Sequence, residues 1–400
     1  MGNSASSKAS QQNNTVNSAH QSNSATASTN PSDDTHRPSS TTPSSSGSGA
    51  SDPILNLQNE DITVDMIIRG IWAFIFSYTD GPPPQYNPRP LLTMLEDAED
   101  LLKDEKTVLD LPSPQCIVGD LHGQGDTLIT LLSLVDTPPA KSYLFLGNYA
   151  GQGFAPHETL FLLLALKVKY PYRVHLLRGN LEDVDVLKAQ GFISGLTQRN
   201  LTNDSFVWSA LERIIGALPL AAIIDNRYFC VHGGIGPELQ KGGIERLKKV
   251  QRPPIDQEDQ AITLVGTHFS SISNKSFLQE CQWAVLRLKP PNKLVPQVPE
   301  MLLDGSPIFH EEDVDAFCKR NRIHGIIRSR QLANQGVLAL PLQMLTVWSA
   351  VAYLDNFRNF AAVLIVEANS MSIVRYKQVD SEPGSLDDKK PVSGRNAMII

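Results

Sequence analysis

Residues Cys116–Gln124, CIVGDLHGQ, join a short apolar run to a tight Gly-Asp-Leu-His-Gly turn, and the apolar segment TLITLLSLV (127–135) follows after Gly125 and Asp126. An Asp and a His one residue apart, on a glycine-flanked turn at the end of a strand, can point at one shared cation. Asp120 and His122 are therefore a candidate metal corner. The same pattern also suits a turn Asp that simply hydrogen-bonds its loop, so its meaning depends on the rest of the chain.

Around this stretch the chain alternates. Cys116–Val118 reads as a strand, 126–135 as a helix, Ser142–Leu146 as a strand, Pro156–Lys169 as a helix, Val174–Leu177 as a strand and Phe206–Ala217 as a helix. Ala221–Ile224 and Tyr228–Val231 form a hairpin signal across Asp225-Asn226-Arg227. Upstream, Ile62–Tyr78 and Leu91–Lys106 have helical spacing, separated by the proline-rich 80–90 stretch that cannot continue a helix. Glu238–Val250 and Glu311–Arg320 read as helices, and His324–Ile327, Met344–Trp348, Ala361–Glu367 and Ser372–Tyr376 as strands. Residues 255–310 are the least legible. Glycine-bearing or polar loops follow five of the apolar strands, at 119–124, 147–153, 178–183, 232–236 and 328–331. Loops of that kind line one edge of a sheet, where sites are built.

Composition sets the outer limits. Residues 1–52 contain no Phe, Trp, Tyr, Leu or Ile, and are read as a disordered Ser/Asn/Thr-rich tail that cannot bury enough apolar surface to offset ordering. Residues 378–400, rich in Asp, Ser, Lys and Pro, read as a second flexible tail. The 41% hydrophobic content leaves ample material for a core between them. A net charge of −7 without a Lys/Arg cluster argues against nucleic acid as a partner. Four scattered cysteines without CxxC spacing fit a reduced, intracellular and cytoplasmic setting. No run is long enough to span a bilayer. Met1-Gly2-Asn3-Ser4-Ala5-Ser6 matches the M-G-x-x-x-S acylation pattern, which makes Gly2 a myristoylation candidate or a chance match. A single acyl chain gives only marginal contact with a membrane surface.

The five loops GDLHG, GNYAGQG, GNLE, HGG and RSRQ stand in the order of the GDxHG, GDxVDRG, GNHE, HGG and RAHQ signatures, so the chain resembles the phosphoprotein phosphatase (PPP) family, the type-1/type-2A-like Ser/Thr protein phosphatases. SYLFLGNY, LLRGN, LPLAAIIDNRYFCVHGGIGPEL and SAVAYLDNF extend the resemblance between motifs, over about 61–377. It implies an α/β (α+β) calcineurin-like metallophosphatase fold, two mixed β-sheets packed as a sandwich and flanked by helices, in a domain spanning 53–377. The family's two metal ions sit about 3.5–4 Å apart and activate a bridging hydroxide. Carried over, the first ion falls to Asp120 and His122, the second to Asn180, His232 and the RAHQ His position, and the bridging carboxylate to position 148.

Position 148 is Asn here. A neutral amide brings no charge to a place where two dications repel by on the order of 15–20 kcal/mol at an effective dielectric of about 20. The RAHQ His position is Arg330, whose guanidinium cannot be a ligand; pairing with Asp120 in a cation's stead is one arrangement open to it. The general-acid His of GNHE is replaced by Leu181, its orienting Asp by Gly151, and the phosphate-clamping Arg of GDxVDRG by Gln152. No second clamp arginine stands near 303–305. Tyr353 matches a tyrosine at the edge of the family's site, and His324 is a remote substitute for the missing ligand.

Three readings follow. In the first the chain is a pseudophosphatase that binds proteins or phosphorylated segments near membranes. In the second it is a weak phosphatase using one divalent ion (Mn, Fe or Zn) on Asp120 and His122. In the third it is a structural protein whose pocket Arg330 closes. One ion or none is expected, and a two-metal centre is not.

Overall fold

Alternation sorts the residues of each strand between two layers. In Gln115–Val118, Ile117 joins Leu144, Ile224, Cys230 and Leu364 in one cluster, whereas Cys116 and Val118 face the other way, among Leu128, Phe161 and Leu163. The computed structural model describes residues 62–77, 81–202, 205–252, 274–287, 305–340 and 343–378. The tail read over 1–52, including Gly2, and all but residue 378 of the tail read over 378–400 lie outside the described residues.

In chain order, helices α1 (Val64–Phe76) and α2 (Pro88–Asp104) precede strands β1 (Val108–Leu111) and β2 (Gln115–Val118). Then come α3 (Gly125–Val135), β3 (Tyr143–Phe145), α4 (Pro156–Lys169), β4 (Val174–Leu176), α5 (Val184–Ala189), α6 (Phe192–Thr197) and α7 (Val207–Ala217). The hairpin β5 (Ala221–Ile224) and β6 (Tyr228–Val231) leads to α8 (Pro237–Gly242), α9 (Ile244–Leu247), α10 (Asn274–Trp283) and β7 (Val285–Leu286). Last are β8 (Ile308–Phe309), α11 (Glu311–Asn321), β9 (Gly325–Arg328), β10 (Val337–Leu340), β11 (Met344–Val347), β12 (Ala361–Val366) and β13 (Met371–Tyr376).

The strands form two mixed sheets, ordered β1-β5-β6-β9-β11-β10 and β13-β12-β2-β3-β4, with β7 and β8 paired separately. Inward residues of both large sheets, such as Leu109, Ile117, Ile224, Cys230, Ile327 and Leu364, make the central layer. Helices α1–α7 cover the outer face of the five-stranded sheet, and α8–α11 cover the other. This is the expected sandwich. Helix α2 illustrates the local logic: Asn87 accepts the Arg89 N–H, Pro88 starts the helix, and Leu91, Leu95, Ala98 and Leu102 bury one stripe.

Several expectations change. The helix read over Glu238–Val250 is broken at Gly243, whose φ of 71° ends α8 and starts α9. Strands β1 and β10 and helices α5 and α6 had no sequence reading. All four cysteines are buried and unpaired.

Strands β2, β3 and β4 run parallel in one sheet, and β6, β9 and β11 run parallel in the other. A parallel bridge between Asp120 and Trp348 joins the ends of β2 and β11. The five polar loops therefore leave the two sheets at one shared edge.

Candidate functional site

The two sheets meet where β2 ends, and a glycine makes the meeting possible. A Cβ on Gly119 would lie 2.1 Å from the Val347 carbonyl oxygen. The Gly119 N–H donates to Ser349 Oγ at 2.8 Å, and the Ser349 N–H donates to the Asp120 carbonyl at 3.1 Å. Neighbouring loops are stitched in the same way. Leu121 and His122 N–H groups both donate to the Asn148 carbonyl, at 3.0 and 2.9 Å. The buried Glu182 carboxylate accepts from the backbone N–H of Asn148 (2.7 Å), Tyr149 (2.9 Å) and Gly179 (2.9 Å). These bonds hold His122 and Asn148 in left-handed backbone, φ 50° and 59°, a conformation that Arg330 shares at 68° and that costs about 1–3 kcal/mol at each non-glycine residue.

Asp120, Asn148, Asn180 and His232 are all buried, and His122 keeps 12% of its side chain exposed. Asp120 Oδ2 accepts from Asn148 Nδ2 at 2.8 Å and lies 3.0 Å from His122 Nε2. Its Oδ1 accepts from the Arg330 N–H at 2.9 Å and from Ser329 Oγ. Burial alone would raise this carboxyl, but His232, His122 and Ser329 together hold it well below the usual range. Asn148 Nδ2 also donates to Asn180 Oδ1 at 3.0 Å, while Asn148 Oδ1 accepts the Leu181 N–H at 2.9 Å. The amide is thereby oriented with its oxygen outward and both N–H groups turned to the centre. His232 Nδ1 faces the Leu146 carbonyl at 3.0 Å, and its Nε2 faces Asn180 Oδ1 at 2.9 Å. Burial, opposed by Asp120 and reinforced by Arg330 and Arg328, pushes this imidazole down to about 3. A neutral ring has a single N–H and serves only one of those oxygens.

A calcineurin-like phosphoesterase family model matches residues 114–329. A putative serine/threonine-protein phosphatase of Schizosaccharomyces pombe is 31% identical over 273 residues, covering 68% of this chain and 81% of that protein. This chain belongs to the calcineurin-like phosphoesterase family. A PP2A-like serine/threonine-protein phosphatase of Candida albicans, PPG1, is 29% identical over 315 residues, 78% of this chain and 68% of its own length. A solved Saccharomyces cerevisiae protein serine/threonine phosphatase shares the fold, with a TM-score of 0.61 at 22% identity over 74% of this chain and 92% of its own.

In this calcineurin-like phosphoesterase the family's two-ion centre does not fit the residues present. The bridging position presents N–H groups, Arg330 offers no lone pair, and among the described residues no group of three or more His, Cys, Asp or Glu side chains could hold a metal ion. Leu181, which the resemblance sets against the family's general-acid position, is buried. Gly151 has φ 146°, and a Cβ there would lie 3.0 Å from His122 Cα, so an Asp is excluded unless the loop moves. Gln152 is exposed.

The pairing expected between Arg330 and Asp120 is corrected in one respect. The backbone N–H of Arg330, in left-handed conformation, makes that bond, and its guanidinium lies over the Trp283 ring at 5.3 Å. Among the described residues the guanidinium forms no ion pair with Asp120. His324 is exposed at the opposite end of β9, accepting from Arg227 Nε at 3.3 Å. Tyr353 does reach the site, its ring 4.6 Å from that of His122, with Trp348 at 5.3 Å. Positions 303 and 304 lie outside the described residues. Glu182 and Ser329 were missed: the Glu of GNLE was a usable signal, and a serine in RSRQ carried none.

Proposed function

We propose that this protein is a Ser/Thr phosphatase-like member of its family that binds proteins or phosphorylated segments without hydrolysing them. One observation carries the reading: the Asn148 amide, fixed by the Leu181 N–H, directs its donors at Asp120 and Asn180, where the family's chemistry needs a carboxylate between two cations. Hydrogen bonds thus take over the binding capacity of side chains that would otherwise hold ions. The apolar Leu181 adds to this, since a positioned general acid is worth about 10²–10⁴ in rate. Gln152 cannot replace a guanidinium fork on a phosphate. Acylation of Gly2, outside the described residues, would add reversible membrane proximity; the mass of the N-terminal peptide, from protein co-expressed with an acyltransferase, decides that point.

A weak one-ion phosphatase is the competing reading. It draws on the 3.0 Å approach of Asp120 Oδ2 to His122 Nε2 and on the residual exposure of His122. Hydrolysis of an aryl phosphate in added Mn²⁺, compared between wild type and the Asp120→Ala and His122→Ala variants, separates the two. Turnover equal in all three supports the binding reading, and turnover that vanishes in the variants overturns it.

A further inference from the structure

The Arg330 side chain is held without being used. Its guanidinium face rests on Trp283, and among the described residues its buried Nε has no hydrogen-bond partner. A cation–π contact engages only the face of a guanidinium, so the in-plane N–H fork stays available. Buried donors are nearly always satisfied, and an unsatisfied one calls for an explanation. Gln331 fixes the geometry: it takes the Leu286 N–H at 2.8 Å and donates to the Leu286 carbonyl at 3.1 Å, pinning the chain just after Trp283 to the loop that carries Arg330.

Charge gives a second, independent pointer. Arg328, fully buried, bonds only neutral acceptors among the described residues: the Gly233 and Ala284 carbonyls and Gln331 Oε1. Burial and the neighbouring Arg330 charge push it down to about 9. Among the described residues neither guanidinium is paired with a carboxylate, and the neighbouring Asp120 already accepts from Ser329, Asn148 and the Arg330 backbone. Of the other buried carboxylates close by, Glu182 is occupied by three backbone N–H groups, and Glu280 accepts from the Glu238 and Leu239 N–H groups. The local surplus is positive. Beside it, Tyr353 stacks on Phe357 at 6.2 Å, and Leu354 and Phe357 are each 43% exposed, an apolar lip at the mouth.

We propose that the Arg330 fork receives the phosphate monoester of a phosphoserine or phosphothreonine segment, in the absence of metal, with Trp283 holding the fork and the Tyr353–Phe357 lip contacting the flanking residues. This rests on the reading that the site binds without hydrolysing. A planar fork can grip two phosphoryl oxygens at once, and a dianion answers the surplus charge where a neutral hydroxyl does not.

The test uses the full chain in EDTA and a short alanine peptide carrying one phosphoserine, with the same peptide bearing glutamate or serine as controls, measured by calorimetry. Wild type should bind the phosphopeptide alone, and Arg330→Gln should weaken it by about tenfold or more. Arg330→Lys, which keeps the charge and loses the fork, should fall between them, and it carries the test if Arg330→Gln does not melt cooperatively. No binding by wild type, equal binding of the glutamate peptide, or unchanged affinity in a folded Arg330 variant overturns this inference and leaves the non-hydrolysing reading standing. Phosphopeptide binding that needs Mn²⁺ and survives Arg330→Gln overturns both.

Discussion

Asn148 decides the chemistry of this centre because an amide has a direction. Its oxygen is committed to the Leu181 N–H, so its nitrogen must face Asp120 Oδ2 at 2.8 Å and Asn180 Oδ1 at 3.0 Å. Changing Asn148 to Asp replaces the donor with an acceptor beside a carboxylate that is itself held ionised. Two carboxylates so placed cannot both stay charged without a cation. Asn148→Asp should therefore lose about 2–4 kcal/mol of stability in chelator at neutral pH, read as a lower urea midpoint, and Mn²⁺ should restore part of it. A variant as stable as wild type in EDTA would show that the amide donors matter little. At Gly151 the reverse change is blocked by backbone: Gly151→Asp should be strained by its φ of 146° and by contact with His122, and should unfold more easily without gaining activity.

The elements place these residues, and one contact between elements matters most. Ends of β2 and β11 lie so close that the Gly119 hydrogen occupies the space a methyl would need, 2.1 Å from the Val347 oxygen. Gly119→Ala should cost about 3 kcal/mol or more, measured by urea unfolding, because the two sheets must separate to admit it. At this scale the sequence was legible where the pattern was periodic and the loops carried marked residues. The strands of 116–118, 142–146 and 174–177, with the glycine loops after them, announced the sheet edge and the Asp120–His122 corner, whereas Asn148, Asn180 and His232 were joined to that corner only by the resemblance to the PPP motifs. Short elements were not legible: VLDL of β1 and VLAL of β10 are four residues each, too brief for a period to declare itself. The break in Glu238–Val250 was signalled only by paired glycines. For Arg330, residue type ruled out a ligand, but the direction of a long side chain depends on the backbone at 330 and on Trp283, 47 positions upstream.

For the molecule as a whole, buried imidazoles set the acid response. Burial, aided by Arg199, holds His157 down to about 3; burial, aided by Lys167, holds His175 down to about 4; and His232 sits at about 3. Unfolded, each titrates near 6.5. Below that value the unfolded chain takes up protons that the folded chain refuses, so the stability from these groups is complete above about 6.5 and is lost as pH falls toward 3–4. Asp120, held below its unfolded range, adds a further loss at still lower pH. Each histidine contributes up to about 1.4 kcal/mol per pH unit in this window. Urea midpoints from neutral pH downward should fall steeply, and His175→Gln should flatten the slope by one proton. A flat profile would mean that these rings are protonated in the folded chain.

Among the described residues no helix is long and apolar enough to cross a membrane. The central claim is that hydrogen bonds from Asn148 stand where the family places ions. Elemental metal analysis of the full chain, purified in Mn²⁺ and then dialysed, tests it most directly, with thermal melting in and out of EDTA as the paired readout. Well under one ion per chain is expected, with a midpoint that chelation does not move. Two tightly held ions per chain, with a midpoint that falls when EDTA removes them, would contradict it.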